Sequence, residues 1–203
     1  MIPVKPSKII CVGRNYLAHA QELGNAVPPQ PMIFLKPPSA LVGAGDPIFL
    51  PSQSQQVEFE GEIGVVVLER LRDVTAAAAE RARLGFTCVN DVTARDLQKT
   101  DGQWGRAKGF DTFCPVGPSV VEGLDYRTLQ VTTRLNGAVR QQGKTSEMAY
   151  SIPTIISFIS SVMTLEPGDL IATGTPAGVG RLSAGDIVEV EVSGVGVLRN
   201  PVR

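Results

Sequence analysis

Glu60 and Glu62 stand two residues apart in the run Val57-Glu58-Phe59-Glu60-Gly61-Glu62-Ile63-Gly64-Val65-Val66-Val67-Leu68, and Asp91 follows within Asn90-Asp91-Val92-Thr93-Ala94-Arg95-Asp96. A segment rich in β-branched and aromatic residues takes extended backbone, on which alternate side chains share a face. Glu58, Glu60 and Glu62 are therefore predicted on one side of a strand. That strand runs on into unbroken apolar residues, which predicts burial of its second half. Carboxylates aligned at such a place repel one another unless a cation neutralises them. With no His or Cys cluster beside them, oxygen ligands of this kind suit Mg2+, Mn2+ or Ca2+ better than Zn2+. A Glu-x-Glu alternation alone more often marks a solvated strand face, so the metal reading of Glu60, Glu62 and Asp91 depends on what else the chain carries.

His19 is the single histidine, and Glu22 lies three residues on. On a helix the two share a face, where a carboxylate orients an imidazole and raises its basicity; the plain alternative is a surface pair. Lys108 precedes Gly109 and an apolar, aromatic stretch. Its ammonium could enter a partly dry pocket and hold developing negative charge, or simply face solvent. Arg95 and Gln98 follow Asp91 at helical spacing and could bind substrate carboxylate and oxo groups, although Arg95 and Asp96 could equally form a structural ion pair. The loop Thr173-Gly174-Thr175-Pro176-Ala177-Gly178-Val179-Gly180 lacks the Gly-Lys-Ser/Thr ending of a P-loop, and no G-x-G-x-x-G occurs, which argues against nucleotide binding. Its glycines instead allow backbone amides and the Thr175 hydroxyl to approach a small carboxylate ligand. Trp104 either lines a pocket or packs.

The elements that must position these residues are short. Twenty-one Gly and 15 Pro punctuate brief apolar runs, as expected of a strand-rich chain. Two helices are predicted. Thr75 caps an alanine-rich run reaching Leu84, with Gly85 as its stop; Ser151 caps a second, with Pro153 in its first turn and Ile152, Ile155, Ile156, Ile159 and Met163 at helical spacing. A turn at Glu166-Pro167-Gly168-Asp169 leads to a strand at Leu170–Ala172, and a turn at Ala184-Gly185-Asp186 leads to an alternating strand at Ile187–Val192. The stretch Leu23 to Pro31 has no apolar periodicity and reads as a mobile connection.

At 203 residues, the chain has enough length for one substantial core, and residues 1–203 are expected to form a single domain. Nineteen basic against 20 acidic residues, a net charge of -1 and no basic run give no reason to expect nucleic acid or an anionic membrane as a partner. The apolar run Ile9-Ile10-Cys11-Val12 near the start is too brief for a signal or membrane segment, so a cytoplasmic protein is expected. Cys11, Cys88 and Cys114 are dispersed in apolar surroundings and read as reduced core residues.

Taken in order, these segments resemble the fumarylacetoacetate hydrolase superfamily. The resemblance rests on Gly13-Arg14-Asn15-Tyr16-Leu17-Ala18-His19-Ala20-Gln21-Glu22, the Glu-Gly-Glu strand, Asn90 to Asp96, Ala107-Lys108-Gly109-Phe110-Asp111-Thr112-Phe113-Cys114-Pro115-Val116-Gly117-Pro118 and the Thr173 to Gly180 loop, and so spans nearly the whole chain. It implies a mostly β fold with a few short helices, a mixed β-sandwich roll with its active site at one open end. The chain is similar to the short branch that includes acylpyruvate hydrolase and oxaloacetate decarboxylase types. The resemblance also implies Glu60, Glu62 and Asp91 as metal ligands, His19 and Glu22 on a short lid that activates water, Lys108 in the active site, and a homodimer. Gly109 stands where relatives commonly carry Ser and Gly105 where they often carry Thr.

These parts suit a small 2-oxo acid that chelates a divalent ion through its carboxylate and oxo oxygens. Hydrolysis of an acylpyruvate to pyruvate and a carboxylic acid is the first expectation, because the His-x-x-Glu pair is present. Decarboxylation of oxaloacetate and isomerisation of 2-hydroxyhepta-2,4-diene-1,7-dioate use the same chelated framework. A regulatory binding protein that has lost activity would show a damaged constellation, and here every member is present.

Overall fold

The punctuated apolar runs become fourteen strands in the computed structural model, which describes residues 2–22 and 24–203. Met1 and Leu23, the first residue of the connection expected to be mobile, lie outside the described residues. In chain order the strands begin with β1 (Ile9–Gly13), β2 (Met32–Lys36), β3 (Leu41–Val42), β4 (Val57–Phe59) and β5 (Gly61–Val67). They continue with β6 (Leu84–Asn90), β7 (Thr93–Ala94), β8 (Cys114–Glu122), β9 (Gln130–Leu135) and β10 (Ala138–Lys144). The last are β11 (Leu170–Ala172), β12 (Gly180–Arg181), β13 (Ile187–Val192) and β14 (Gly196–Pro201). Five short helices accompany them: α1 (Leu17–Glu22), α2 (Ala76–Ala79), α3 (Arg95–Thr100), α4 (Gly105–Gly109) and α5 (Ile152–Val162).

The strands form a seven-stranded sheet in the order β2-β1-β11-β5-β6-β8-β3, a four-stranded sheet β10-β9-β13-β14 and a three-stranded sheet β12-β4-β7. The large sheet is mixed, since β1 pairs parallel with β11 and β3 parallel with β8 while its other pairs are antiparallel. Its central strand β5 is buried along its whole length. One face sends Ile63, Val65 and Val67 into a cluster with α5 and with Val131, Val190 and Val192 of the second sheet. The other face sends Val66 into a cluster with Ile9, Cys11 and Val89. A strand covered on both faces has no reason to alternate with polar residues, which explains the unbroken apolar run.

Helix α5 forms as its sequence predicts. The Ser151 hydroxyl accepts from the Thr154 amide, and Ile152, Ile155, Ile156 and Ile159 are buried on one face. The alanine-rich helix is a correction. Thr75 does cap it, its hydroxyl accepting from the Ala78 amide at 3.2 Å, but the helix ends at Ala79. Leu84 begins β6 instead, paired on both sides with β5 and β8. Two-sided ladder pairing and burial of Phe86 and Cys88 outweigh the helical preference of alanine. All three cysteines are free and buried.

The extended run around Glu60 is also interrupted. The Glu60 amide donates to the Asn90 side chain at 3.0 Å and its carbonyl accepts from the Asp91 amide at 2.8 Å, so β4 and β5 meet at a break that belongs to two different sheets. Gly61 is required at this junction: a Cβ there would lie 1.9 Å from the Thr133 hydroxyl of β9. The glycine lets the second sheet press against the first directly behind the two glutamates.

Candidate active site

All nine residues singled out for chemistry line one cavity of about 480 Å³. Glu60 arrives from the β4–β5 junction, Glu62 from β5 and Asp91 from the end of β6, which is antiparallel to β5 with Glu62 opposite Val89 and Gly61 opposite Asn90. One carboxylate oxygen from each lies within 4.8 Å of the others, and the three residues are 5 %, 2 % and 1 % exposed. Glu58 stands behind the cavity lining: its carboxylate accepts from Arg95 Nε at 2.8 Å, through the same guanidinium that reaches Glu60, and from Gln56 Nε2 at 2.6 Å.

The cations around the triad are unevenly shared. Lys108 Nζ donates to Glu60 Oε2 at 2.8 Å and Asp91 Oδ2 at 2.6 Å. Lys36 Nζ donates to Asp91 Oδ1 at 2.6 Å and to the Val92 carbonyl at 3.1 Å. Arg95 forks onto Glu58 and Glu60. Among the described residues Glu62 pairs with no cation and accepts from the Gly174 amide at 2.7 Å. Burial would push the Glu60 carboxyl up, yet Lys108 and Arg95 hold it well below the usual carboxylate range. Glu62 is pushed well above that range by burial and by the neighbouring charges of Asp91 and Glu60. Burial opposes the charge of Lys108, but Asp91 and Glu60 overcome it and hold the ammonium above its ordinary value. The donor set is all carboxylate oxygen, with one member left uncompensated, and it fits a hard divalent cation held by Glu60, Glu62 and Asp91.

On another part of the cavity wall, His19 and Glu22 lie on α1 as the spacing predicts, with Nδ1 and Oε2 at 3.2 Å. His19 is buried, and Glu22 also accepts from the Gly178 amide at 3.0 Å, which ties α1 to the loop between β11 and β12. That loop differs from expectation. Its Gly174 and Gly178 amides hold Glu62 and Glu22, both carboxylates of the chain itself. The Thr175 hydroxyl donates to the Gly61 carbonyl at 2.9 Å and accepts from Gln141 Nε2 at 2.7 Å. Thr175 still lines the cavity while bracing the Glu-Gly-Glu strand.

Arg95 and Gln98 reach the cavity for a reason other than the one inferred from spacing. Asp91 is not helical: α3 begins only at Arg95, and the pair meets at i, i+3 with Arg95 Nη1 donating to Gln98 Oε1 at 2.6 Å. The alternative Arg95–Asp96 pair does not form; Asp96 instead accepts from the Ser54 hydroxyl at 2.6 Å and the Gln55 amide at 2.7 Å. Lys108 sits on α4, which places its ammonium 5.0 Å from the Phe34 ring centre. Trp104 does both things considered for it, lining the cavity and meeting Phe34 edge-on at 5.2 Å.

Lys36 escaped the sequence reading. The signal was a lysine closing the apolar run Met32-Ile33-Phe34-Leu35 just before Pro37, a position that a strand carries into the interior. Gln141 was missed as well, and its long-range contacts with Gly61, Thr175 and Pro176 left no local pattern to find.

Residues 8–203 match the family model described as the fumarylacetoacetate hydrolase C-terminal region. The chain belongs to the fumarylacetoacetate hydrolase family. It superposes on the 2-hydroxyhepta-2,4-diene-1,7-dioate isomerase of Mycobacterium marinum with a TM-score of 0.92 at 50 % identity, covering 99 % of this chain and 76 % of that one. It is 42 % identical to the oxaloacetate tautomerase of Bacillus subtilis over 98 % of this chain and 70 % of the relative. The fumarylpyruvate hydrolase of Pseudomonas aeruginosa, solved in complex with Mn2+ and pyruvate, gives a TM-score of 0.91 at 30 % identity over 98 % of this chain and 90 % of that one. These family relatives carry enzyme names, and the mostly β fold with short helices is theirs. Among the described residues no helix is long and apolar enough to cross a membrane.

Proposed function

We propose that this family member is a divalent-metal-dependent hydrolase of small 2,4-dioxo acids, cleaving an acylpyruvate into pyruvate and a carboxylic acid. The observation that carries the reading is that the His19–Glu22 pair and the Glu60–Glu62–Asp91 group line the same cavity. A bound Mg2+ or Mn2+, with Ca2+ as a further candidate, would act as a Lewis acid for the carboxylate and 2-oxo oxygens of the substrate. The chain's own residues do the rest. Glu22 at Nδ1 of His19 fixes the tautomer that leaves Nε2 free to take a proton from water, and water then adds to the 4-carbonyl. The bond between carbons 3 and 4 breaks, and the electron pair stays with the pyruvate half. The ammonium of Lys108 lowers the cost of negative charge there, and Arg95 with Gln98 orients the acid. Phe34 and Trp104 keep that wall dry.

A second reading is keto–enol exchange or decarboxylation of a 2-oxo diacid, in which His19 moves a proton on carbon instead of water. It is favoured by the higher identity to the isomerase and the tautomerase than to the hydrolase. The test is to follow pyruvate release from acylpyruvates and the enol absorbance of oxaloacetate on the same Mg2+- or Mn2+-loaded protein. In His19→Ala, acylpyruvate cleavage is expected to fall by about a hundredfold or more, the size of a general-base contribution, while metal content stays at the wild-type level. Undiminished cleavage removes the pair from the mechanism. Enol exchange without any pyruvate release makes the second reading the correct one. The reading includes a cytoplasmic homodimer; a fully active monomer in light scattering counts against the dimer.

A further inference from the structure

Arg14 carries a non-glycine side chain at φ 58°, in the left-handed region where glycine and asparagine are at home. The backbone on either side leaves it no choice. Gly13 closes β1 in register with Met32, and a Cβ at Gly13 would already touch the Trp104 ring at 3.2 Å. Asn15 is fastened by its side chain to the Thr173 carbonyl at 2.8 Å, the Tyr150 carbonyl at 3.2 Å and the Tyr150 amide at 2.8 Å. A residue held in this region is strained and persists because its surroundings over-determine it. Asp73, Thr112 and Asn136 share the sign of φ, and the last two use their side chains in hydrogen bonds to distant segments, Thr112 to Phe49 and Asn136 to Asp186 and Ile187. Arg14 does not: among the described residues its guanidinium has no carboxylate, carbonyl or ring partner, and it lines the cavity half-buried.

The charge of the wall gives this guanidinium something to do. Four lining residues are acidic, Glu22, Glu60, Glu62 and Asp91; four are basic, Arg14, Arg95, Lys99 and Lys108. Behind the wall Lys36 and Glu58 cancel, so the protein part of the site is formally neutral with His19 neutral, and a divalent cation leaves it two positive charges in excess. Arg95 and Lys108 pair with carboxylates of the chain and serve the 2-oxo acid end of the substrate in the proposed reaction. The cations still free are Arg14 and, more exposed at the rim, Lys99. A monoanionic 2-oxo acid uses its carboxylate on the metal and has nothing to offer them.

We infer that Arg14 is the receptor for a second, remote carboxylate, so that the site selects dianionic 2-oxo acids over chains of equal length with an apolar end. Arginine suits this task because its planar fork binds a carboxylate through two parallel hydrogen bonds. The inference rests on the proposed 2-oxo acid chemistry and adds to it the residue that determines the substrate class. It can be read without turnover, using 2-oxoglutarate and 2-oxopentanoate, which differ by a carboxylate in place of a methyl group. Titrated into the Mn2+-loaded protein, 2-oxoglutarate should bind the wild type at least about tenfold more tightly. In Arg14→Gln that preference should vanish, with 2-oxopentanoate binding kept within about twofold. Arg14→Gly relieves the backbone, so it should fold at least as stably as wild type and still lose the preference, an outcome that a purely structural arginine would not give. Equal binding of the two acids by wild type, or a preference that survives both substitutions, overturns the assignment to Arg14. If wild type binds Mn2+ but neither acid, the 2-oxo acid reading falls and takes this inference with it.

Discussion

Glu60 and Glu62 look equivalent in sequence and are opposites in the folded chain. Glu60 accepts from two cations, Lys108 and Arg95, whereas Glu62 faces Asp91 and Glu60 with one backbone amide for support. Removing Glu60's charge strands buried cations, which typically costs about 3–5 kcal/mol; removing Glu62's charge relieves repulsion. In metal-free protein Glu60→Gln is therefore expected to lower stability by roughly that amount, while Glu62→Gln leaves it unchanged or raised. Both variants should bind Mn2+ at least about tenfold more weakly, because both lose a ligand. Calorimetric metal titration beside chemical denaturation reads the two effects separately, and equal destabilisation by the two substitutions would refute the asymmetry. The spacing of the two glutamates was legible because strand alternation is a local property. The asymmetry was not, because Lys36, Arg95 and Lys108 converge on the site from β2, α3 and α4, and no local pattern records which acid each cation will meet.

At the scale of elements, strongly periodic segments with clear caps were readable and elements decided by long-range pairing were not. Helix α5 has Ser151 as cap, a proline in its first turn and an isoleucine face, and each cue points the same way. The run Thr75 to Leu84 carried an equally clear cap, but its second half gains more from joining β6 than from continuing a helix. The β4–β5 break at Glu60 was invisible for the same reason, since it is imposed by Asn90 and by Thr133 pressing on Gly61. Helix α5 lies in the main core and contributes nothing to the cavity wall. Ile156→Ala, at a fully buried position, should cost about 2–5 kcal/mol in chemical denaturation. Turnover per folded molecule should remain at the wild-type value. A selective loss of kcat without loss of stability would mean that α5 reaches the site through a coupling its packing does not reveal.

On the scale of the whole molecule, the N-terminal segment must be fastened for β1 to pair with β11, and Asp169 is the fastener. Its carboxylate, fully buried, accepts from the Ser7 amide at 3.0 Å, the Ser7 hydroxyl at 2.7 Å, the Lys8 amide at 3.2 Å and the Glu166 amide at 2.8 Å, and it pairs with the Lys8 ammonium. The next residues in each segment, Ile9 and Leu170, are the first pair of the parallel ladder, so the same side chain closes the turn and sets the register. Burial would raise its pKa, but the hydrogen bonds from Glu166, Lys8 and Ser7 and the charge of Lys8 outweigh that and hold it below the ordinary 3.8. A carboxyl with a lowered folded-state pKa binds fewer protons folded than unfolded. Its contribution is complete above the unfolded value and is lost as pH falls through the lower folded one. Asp169→Asn keeps the shape and removes the charge, so it should cost about 1–3 kcal/mol near neutral pH. The gap between wild type and variant should hold constant down to about pH 5 and close progressively below about pH 4, because protonated Asp169 is then as neutral as asparagine. Urea midpoints for the two proteins across that range isolate Asp169 from every other carboxyl, since the others titrate alike in both. A gap that stays open at the acid end would show that geometry, not charge, makes Asp169 hold β1 against β11.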